Sequence, residues 1–167
     1  ESLVEAFRIY RSKGGSRQLV VAGKKGWMYE KVFDLVKRYG LEKHIIFPGY
    51  VEEQDKPLIY GGAKAFIFPS LYEGFGMPPL EAMACGVPVI SSNTSSLPEV
   101  VGDAGLMVDP MDIEGLAVHM KRLEEDQELC QELREKGLKR ATSFSWDDSV
   151  EKLMQLYRVI QGDGSHG

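Results

Sequence analysis

Apolar residues along this chain gather in short runs, separated by longer stretches in which they recur every three or four positions. The runs at 19–22, 44–47, 65–68, 87–90 and 106–108 are rich in β-branched or aromatic residues, and glycine, proline or polar turns end them. They read as strands. Intervening stretches such as 28–39 have a helical period and are long enough to cross over a sheet. Strands apolar on both faces belong in a sheet covered on both sides, so the pattern predicts an α/β fold with a doubly wound parallel sheet of about five strands and flanking helices. The remainder of the chain turns helical. Ile113, Leu116, Ala117, Met120 and Leu123 form one apolar face, and Val150, Leu153, Met154, Tyr157 and Ile160 form another. Ser145 with Asp148 forms a capping pair ahead of the last helix.

Leu3, Phe7 and Tyr10 stand at helical spacing from the first residues onward, with no capping residue before them. The expectation is a chain that starts within an element: an N-terminally truncated domain over 1–161, followed by a flexible tail at 162–167 that holds no apolar residue. A length of 167 residues suits one domain with its own core. The net charge of −5 argues against a broad nucleic-acid surface, which needs concentrated lysine and arginine. Cys85 and Cys130 lie in apolar helical patterns, as reduced thiols of a cytoplasmic protein do. No run of about twenty apolar residues predicts membrane insertion, and no secretion signal is present.

In a sheet of this kind ligands bind beyond the carboxyl ends of strands, where loops open toward helix N-termini. The loop after the run at 65–68 reads Leu-Tyr-Glu-Gly-Phe-Gly-Met-Pro-Pro-Leu-Glu from Leu71 to Glu81. Its prolines suit a helix's first turn, so a helix starts near Pro78 or Pro79 and Glu81 falls in that turn. Gly74 and Gly76 permit backbone shapes and close approaches that other residues do not, leaving amides at Gly76, Met77 and Leu80 to receive an anion at a partly positive helix end. The prolines remove two donors, so the loop amides carry much of that task. A carboxylate beside a phosphate site fits the diol of a ribose, which Glu81 accepts, and Glu73 suits a second polyhydroxyl group across the phosphates. That layout matches a nucleotide-sugar. The same residues also fit a plain strand-to-helix turn, with Glu81 favoured by the helix dipole and Phe75 as a core plug.

The segment Phe-Pro-Ser-Leu-Tyr-Glu-Gly-Phe-Gly-Met-Pro-Pro-Leu-Glu-Ala-Met-Ala-Cys-Gly-Val-Pro-Val-Ile, from Phe68 to Ile90, closely resembles the Glu-x7-Glu segment of retaining GT-B-fold glycosyltransferases of family 4. Phe47-Pro-Gly-Tyr-Val51, Tyr60-Gly-Gly-Ala63 and Ser95-Ser-Leu-Pro-Glu-Val-Val-Gly-Asp-Ala104 extend the resemblance over nearly the whole chain. It implies a Rossmann-like C-terminal donor domain, whose acceptor-binding N-terminal partner is missing here. It further implies that Glu73 binds donor-sugar hydroxyls and acts as the catalytic residue, that Glu81 binds the ribose, and that the amides around Gly74, Phe75, Gly76 and Met77 hold sugar and phosphate. Val51 is expected to meet the base through its backbone, with Lys56 alongside. In the family an arginine and a lysine follow a strand that precedes a helix resembling Leu3 to Phe7, and this chain begins after them.

Lys24 and Lys25 read as solvated loop lysines rather than replacements for that pair, and His44, His119 and His166 are placed unlike catalytic histidines. No metal-ligand cluster and no Walker-type or Gly-x-Ser-x-Gly motif occurs, so no cofactor is expected and a nucleotide-diphosphate sugar enters as substrate. Two functions remain: the donor half of a hexosyltransferase that is inactive as an isolated chain, or a stand-alone nucleotide-sugar-binding module.

Overall fold

A computed structural model describes residues 1–24 and 29–162. The elements alternate as the periodicity demands: α1 (Ser2–Ser12), β1 (Leu19–Ala22), α2 (Tyr29–Arg38), β2 (Ile45–Gly49), α3 (Lys56–Gly62), β3 (Phe66–Phe68), α4 (Met77–Ala84), β4 (Val89–Ser92), α5 (Leu97–Val101), β5 (Gly105–Val108), α6 (Ile113–Glu125), α7 (Gln127–Thr142) and α8 (Trp146–Gly162). All strand pairs are parallel. This is the Rossmann-like α/β class expected, and each predicted strand run has a counterpart within two residues.

The fourth strand lies two residues later than its apolar run. Val87 donates its amide to Ala82 at the end of α4, and Pro88 has no amide to give, so pairing begins at Val89. Proline is tolerated within β2 because that strand pairs on one side only, with β1. Two short helices, α3 and α5, were not visible as periodic segments. The C-terminal helical stretch is divided by caps: Asp112 accepts from the Gly115 amide at 2.8 Å, and Asp126 from the Leu129 amide at 2.9 Å. Ser145 accepts from the Asp147 and Asp148 amides at 3.1 and 3.3 Å, which starts α8 as the sequence suggests. Gly162 ends α8 instead of opening the tail, and the rest of the expected tail, 163–167, lies outside the described residues, as do Lys25 and His166.

The five strands do not form one continuous sheet. β1 pairs only with β2, while β3, β4 and β5 form a second sheet in that order. Facing edges of β1 and β3 line a single cleft of about 1040 Å³, which is also lined by Leu3, Phe7 and Tyr10 of α1 and Met120, Leu123 and Glu124 of α6. One core cluster joins α1, α6, β1 and β2 through Val4, Phe7, Leu19, Ile45, Leu116 and Leu123, and another sets Met83 of α4 against Val89, Val100 and Val101. By contrast, Trp146, Val150, Leu153, Met154, Tyr157 and Ile160 on α8 are exposed.

Glu124 ties the α1–β1 connection to α6. It accepts from the Ser16 amide at 2.9 Å, from the Ser16 hydroxyl, and from Lys121 at 3.3 Å. Partial burial acts to raise its pKa, but the bonds from Ser16 and Lys121 outweigh it and bring the carboxyl from 4.5 to about 2. A carboxyl with a depressed folded pKa stabilises fully above its unfolded value and loses that contribution as pH falls through the folded one. Urea unfolding should therefore show a loss of about 1 kcal/mol between pH 4.5 and 2 that Glu124→Gln abolishes. An unchanged acid profile in that variant would contradict the assignment.

Candidate functional site

β3 and β4 run side by side in register, Phe66 opposite Val89 and Phe68 opposite Ser91, so the loops leaving their carboxyl ends must be neighbours. The first carries Glu73 to Gly76 into α4, and the second carries Thr94 to Ser96 into α5. Helix α4 starts at Met77, with prolines at its second and third positions, so its first turn lacks the donors that those residues would otherwise expose. Gly76 caps it at φ 110°, a left-handed conformation, and a Cβ there would lie 2.8 Å from Leu97. Both facts require glycine.

Gly74 differs. Its φ is not positive, and a Cβ would meet nothing within 4 Å, so neither chain shape nor packing demands glycine there. This corrects the expectation that Gly74 takes a backbone shape closed to other residues. The amides of Gly74, Phe75, Gly76 and Met77 donate to no acceptor among the described residues, while the Gly76 carbonyl receives the Leu80 amide at 3.4 Å. Leu80 is thereby occupied, so the free donors lie within the loop and at the first residue of α4. The Phe75 ring is not a core plug. It is 44% exposed and meets Phe144 edge-on at 5.8 Å, which tethers the loop to the end of α7.

Glu73 is held at several atoms. Its carboxylate accepts from the Ser70 hydroxyl at 2.9 Å, its amide donates to Ser95 Oγ at 3.0 Å, and its carbonyl accepts from Ser96 Oγ at 3.1 Å. Ser96 Oγ also reaches the Phe75 carbonyl at 2.7 Å. Deeper in, the Ser92 and Thr94 hydroxyls both bond the Ser70 carbonyl. A ladder of hydroxyls from the end of β4 thus fixes the loop after β3.

Glu81 is the fifth residue of α4, just past the first turn predicted for it, because the helix starts at Met77 ahead of both prolines; it faces α3. Tyr60 donates its hydroxyl to Glu81 Oε2 at 3.0 Å, and Lys56 Nζ lies 3.7 Å from Oε1 and 2.7 Å from Glu53. The Glu53 hydrogen bond, aided by the Glu81 charge, holds the Lys56 ammonium above the ordinary lysine range. Burial, then the Glu81 hydrogen bond, pushes the Tyr60 hydroxyl well up, so it stays a donor at any physiological pH. Each Glu81 oxygen has one neighbour and keeps acceptor capacity for another.

Val51, Lys56, Met77 and Glu81 all line the cleft, together with Tyr60 and Pro78. Glu73, Gly74, Phe75 and Gly76 do not belong to its lining; they form the adjoining loop. Lys24 sits over the Tyr50 ring at 4.8 Å, apart from that loop. His44 opens the approach to β2 and His119 lies on α6, away from both glutamates in the fold. Sequence reasoning missed Tyr60, Ser70, Ser95 and Ser96 as site residues. Tyr60 carried a signal, a phenol one helical turn beyond Lys56, but the serines are ordinary loop residues until the two loops are seen together.

A parallel α/β domain with a glycine loop between a strand's carboxyl end and a helix start is an arrangement in which ligands commonly bind. The chain belongs to the glycosyl transferases group 1 family, whose model matches residues 1–140. It is 39% identical over 159 residues to the O-antigen chain mannosyltransferase B of Escherichia coli, covering 95% of this chain and 42% of that protein. It is 36% identical over 165 residues to the serotype-specific mannosyltransferase WbdA of the same organism, covering 96% of this chain and 20% of that one. The structure of sucrose-phosphate synthase from Thermosynechococcus elongatus superposes with a TM-score of 0.84 at 28% identity, over 96% of this chain and 42% of the other. The chain therefore spans less than half the length of these relatives.

The two glycines should separate on substitution. Gly76→Ala must strain a left-handed backbone and press on Leu97, so it should cost about 1–3 kcal/mol in urea unfolding, whereas Gly74→Ala should stay within about 0.5 kcal/mol of the parent. Equal losses would contradict the loop geometry.

Proposed function

We propose that this chain is the donor-binding domain of a retaining GT-B-fold glycosyltransferase of family 4, which passes a hexose from a nucleotide-diphosphate sugar to an acceptor held by a further domain. The observation that carries the reading is the pairing of three loop amides, Gly74 to Gly76, and the Met77 amide, all without acceptors among the described residues, with a Glu81 carboxylate pinned by Tyr60 at the cleft. The ribose hydroxyls donate to Glu81, the diphosphate accepts from the loop amides, and the hexose hydroxyls donate to Glu73. The Val51 backbone faces the base and Lys56 lies beside it. The nucleotide-sugar is a substrate, and the reading assigns no resident cofactor. The mannosyltransferase names of the Escherichia coli relatives make mannose the first hexose to test.

In this reading the bond from the anomeric carbon to the diphosphate oxygen breaks as the acceptor oxygen attacks from the same face, and the acceptor's proton passes to the departing phosphate. The chain's amides meet the charge that grows on the diphosphate, and the Glu73 carboxylate orients and stabilises the sugar as positive charge develops on it. Alignment of the acceptor, worth several kcal/mol of barrier and about 7–11 in favourable cases, falls to the other domain.

The split sheet supports a domain completed by another segment of the same protein. A strand between β1 and β3 would satisfy both unpaired edges at once. Placed before α1, it would form with α1 and β1 the right-handed crossover that parallel sheets favour. The exposed apolar side of α8 offers a second surface for the remaining half.

Calorimetry tests the ribose assignment. Glu81→Gln and Tyr60→Phe should each weaken a nucleoside diphosphate, the former by about 1–3 kcal/mol, and should weaken the 2′-deoxy analogue less. Equal losses for both nucleotides would assign Glu81 to helix stability instead.

Full-length protein should transfer hexose, while residues 1–167 alone should not. Hydrogen exchange at 19–22 and 66–68 should slow in the full-length protein as the slot is filled. In that protein Glu73→Ala should lower kcat far more than affinity for the nucleoside diphosphate. Ordinary turnover by the isolated chain, or unprotected strand edges in the full-length protein, would overturn the domain reading. Donor binding without transfer by the full-length protein would favour a binding module.

A further inference from the structure

Ser95 is the one non-glycine residue with positive φ, at 51°, among the described residues. A serine meets that conformation at a cost, and Ser95 is exposed, so no core packing forces it there. What the strained turn achieves is visible in its bonds. Ser95 Oγ accepts the Glu73 amide at 3.0 Å, and the next residue, Ser96, bonds the carbonyls of Glu73 at 3.1 Å and Phe75 at 2.7 Å. The turn consumes both backbone polar groups of Glu73 and the Phe75 carbonyl. The amides of Gly74, Phe75 and Gly76 are left without partners among the described residues. A peptide whose carbonyl is fixed on one side presents the amide of the same peptide plane on the other. Clamping the Glu73 carbonyl therefore aims the Gly74 amide, and clamping the Phe75 carbonyl aims the Gly76 amide.

We propose that Ser95 and Ser96 are positioning residues for sugar transfer. Their hydroxyls hold the loop so that the Glu73 carboxylate and the Gly74 and Gly76 amides face the donor together, and the turn keeps a strained serine because its hydroxyl serves turnover rather than stability. This rests on the donor-site reading above. Glu81, held separately by Tyr60 and Lys56, should be untouched by changes at either serine.

Glycine at position 95 separates strain from hydroxyl, because it accepts the left-handed conformation freely and cannot bond Glu73. In the full-length protein Ser95→Gly should keep its melting temperature yet lower kcat about tenfold or more, with nucleoside diphosphate affinity within about twofold of the parent. Ser96→Ala should do likewise, and Ser96→Thr, which keeps the hydroxyl, should recover most of the loss. In residues 1–167 alone, the Glu73 amide should exchange with solvent faster in Ser95→Gly than in the parent. A kcat within about twofold of the parent in both Ser95→Gly and Ser96→Ala, or a Glu73 amide whose exchange does not change, overturns the proposal. Failure of the parent protein to bind any nucleoside diphosphate is a separate result, and it overturns the donor-site reading on which the proposal stands.

Discussion

Strand β4 is buried along its whole length, and the geometry of the site follows from that constraint. Its side chains from Val89 to Ser92 have no exposed face, so the strand is locked between β3 and β5 in a fixed parallel register. Two loops therefore leave the sheet side by side, one carrying Glu73 and the other carrying the hydroxyls that hold it. Ser92 is polar yet wholly buried, because its hydroxyl spans to the Ser70 carbonyl of the neighbouring loop. A buried hydroxyl without such a partner costs stability. The core thus reaches directly into the site, through a hydrogen bond at the strand's last residue.

The site has two anchors rather than one. Glu73 is fixed from the β4–α5 turn, and Glu81 is fixed from α3 through Tyr60 and Lys56. Between them the Phe75 and Gly76 carbonyls accept hydrogen bonds, while the amides of Gly74 to Met77 meet no acceptor among the described residues. Prolines at the second and third positions of α4 make the same division from the other side, since they bring no unpaired donors to the helix start. A diphosphate laid between a ribose on Glu81 and a hexose on Glu73 would meet donors only from the loop and Met77. In the proposed reading these fixed points match a nucleotide-sugar, and membership of the glycosyl transferases group 1 family is in keeping with it.

Much of this was legible in the residues themselves. Alternating strand and helix periods carried the fold class, because burial on both faces of a parallel sheet leaves a plain apolar signature. The glycines, prolines and spaced glutamates marked the loop and the start of α4 to within two residues. The gap in the sheet was not legible, since periodicity reports which residues are apolar and not which strands are neighbours. Nor was the difference between the two glycines, since only Gly76 is left-handed and crowded. The hydroxyl ladder was hidden for a related reason. Ser70 and Ser95 lie far apart in sequence, and only the β3–β4 register makes their loops adjacent.

The most direct measurement is a heteronuclear NMR titration of this chain with nucleoside diphosphates. The account predicts that the amide signals of Gly74, Phe75, Gly76, Met77 and Val51 shift together in a saturable way. Signals of Gln127, Gln131 and Arg134, which line a second, smaller groove and not the cleft, should stay in place. Binding that shifts those signals and leaves the loop amides unshifted would contradict the account at its centre.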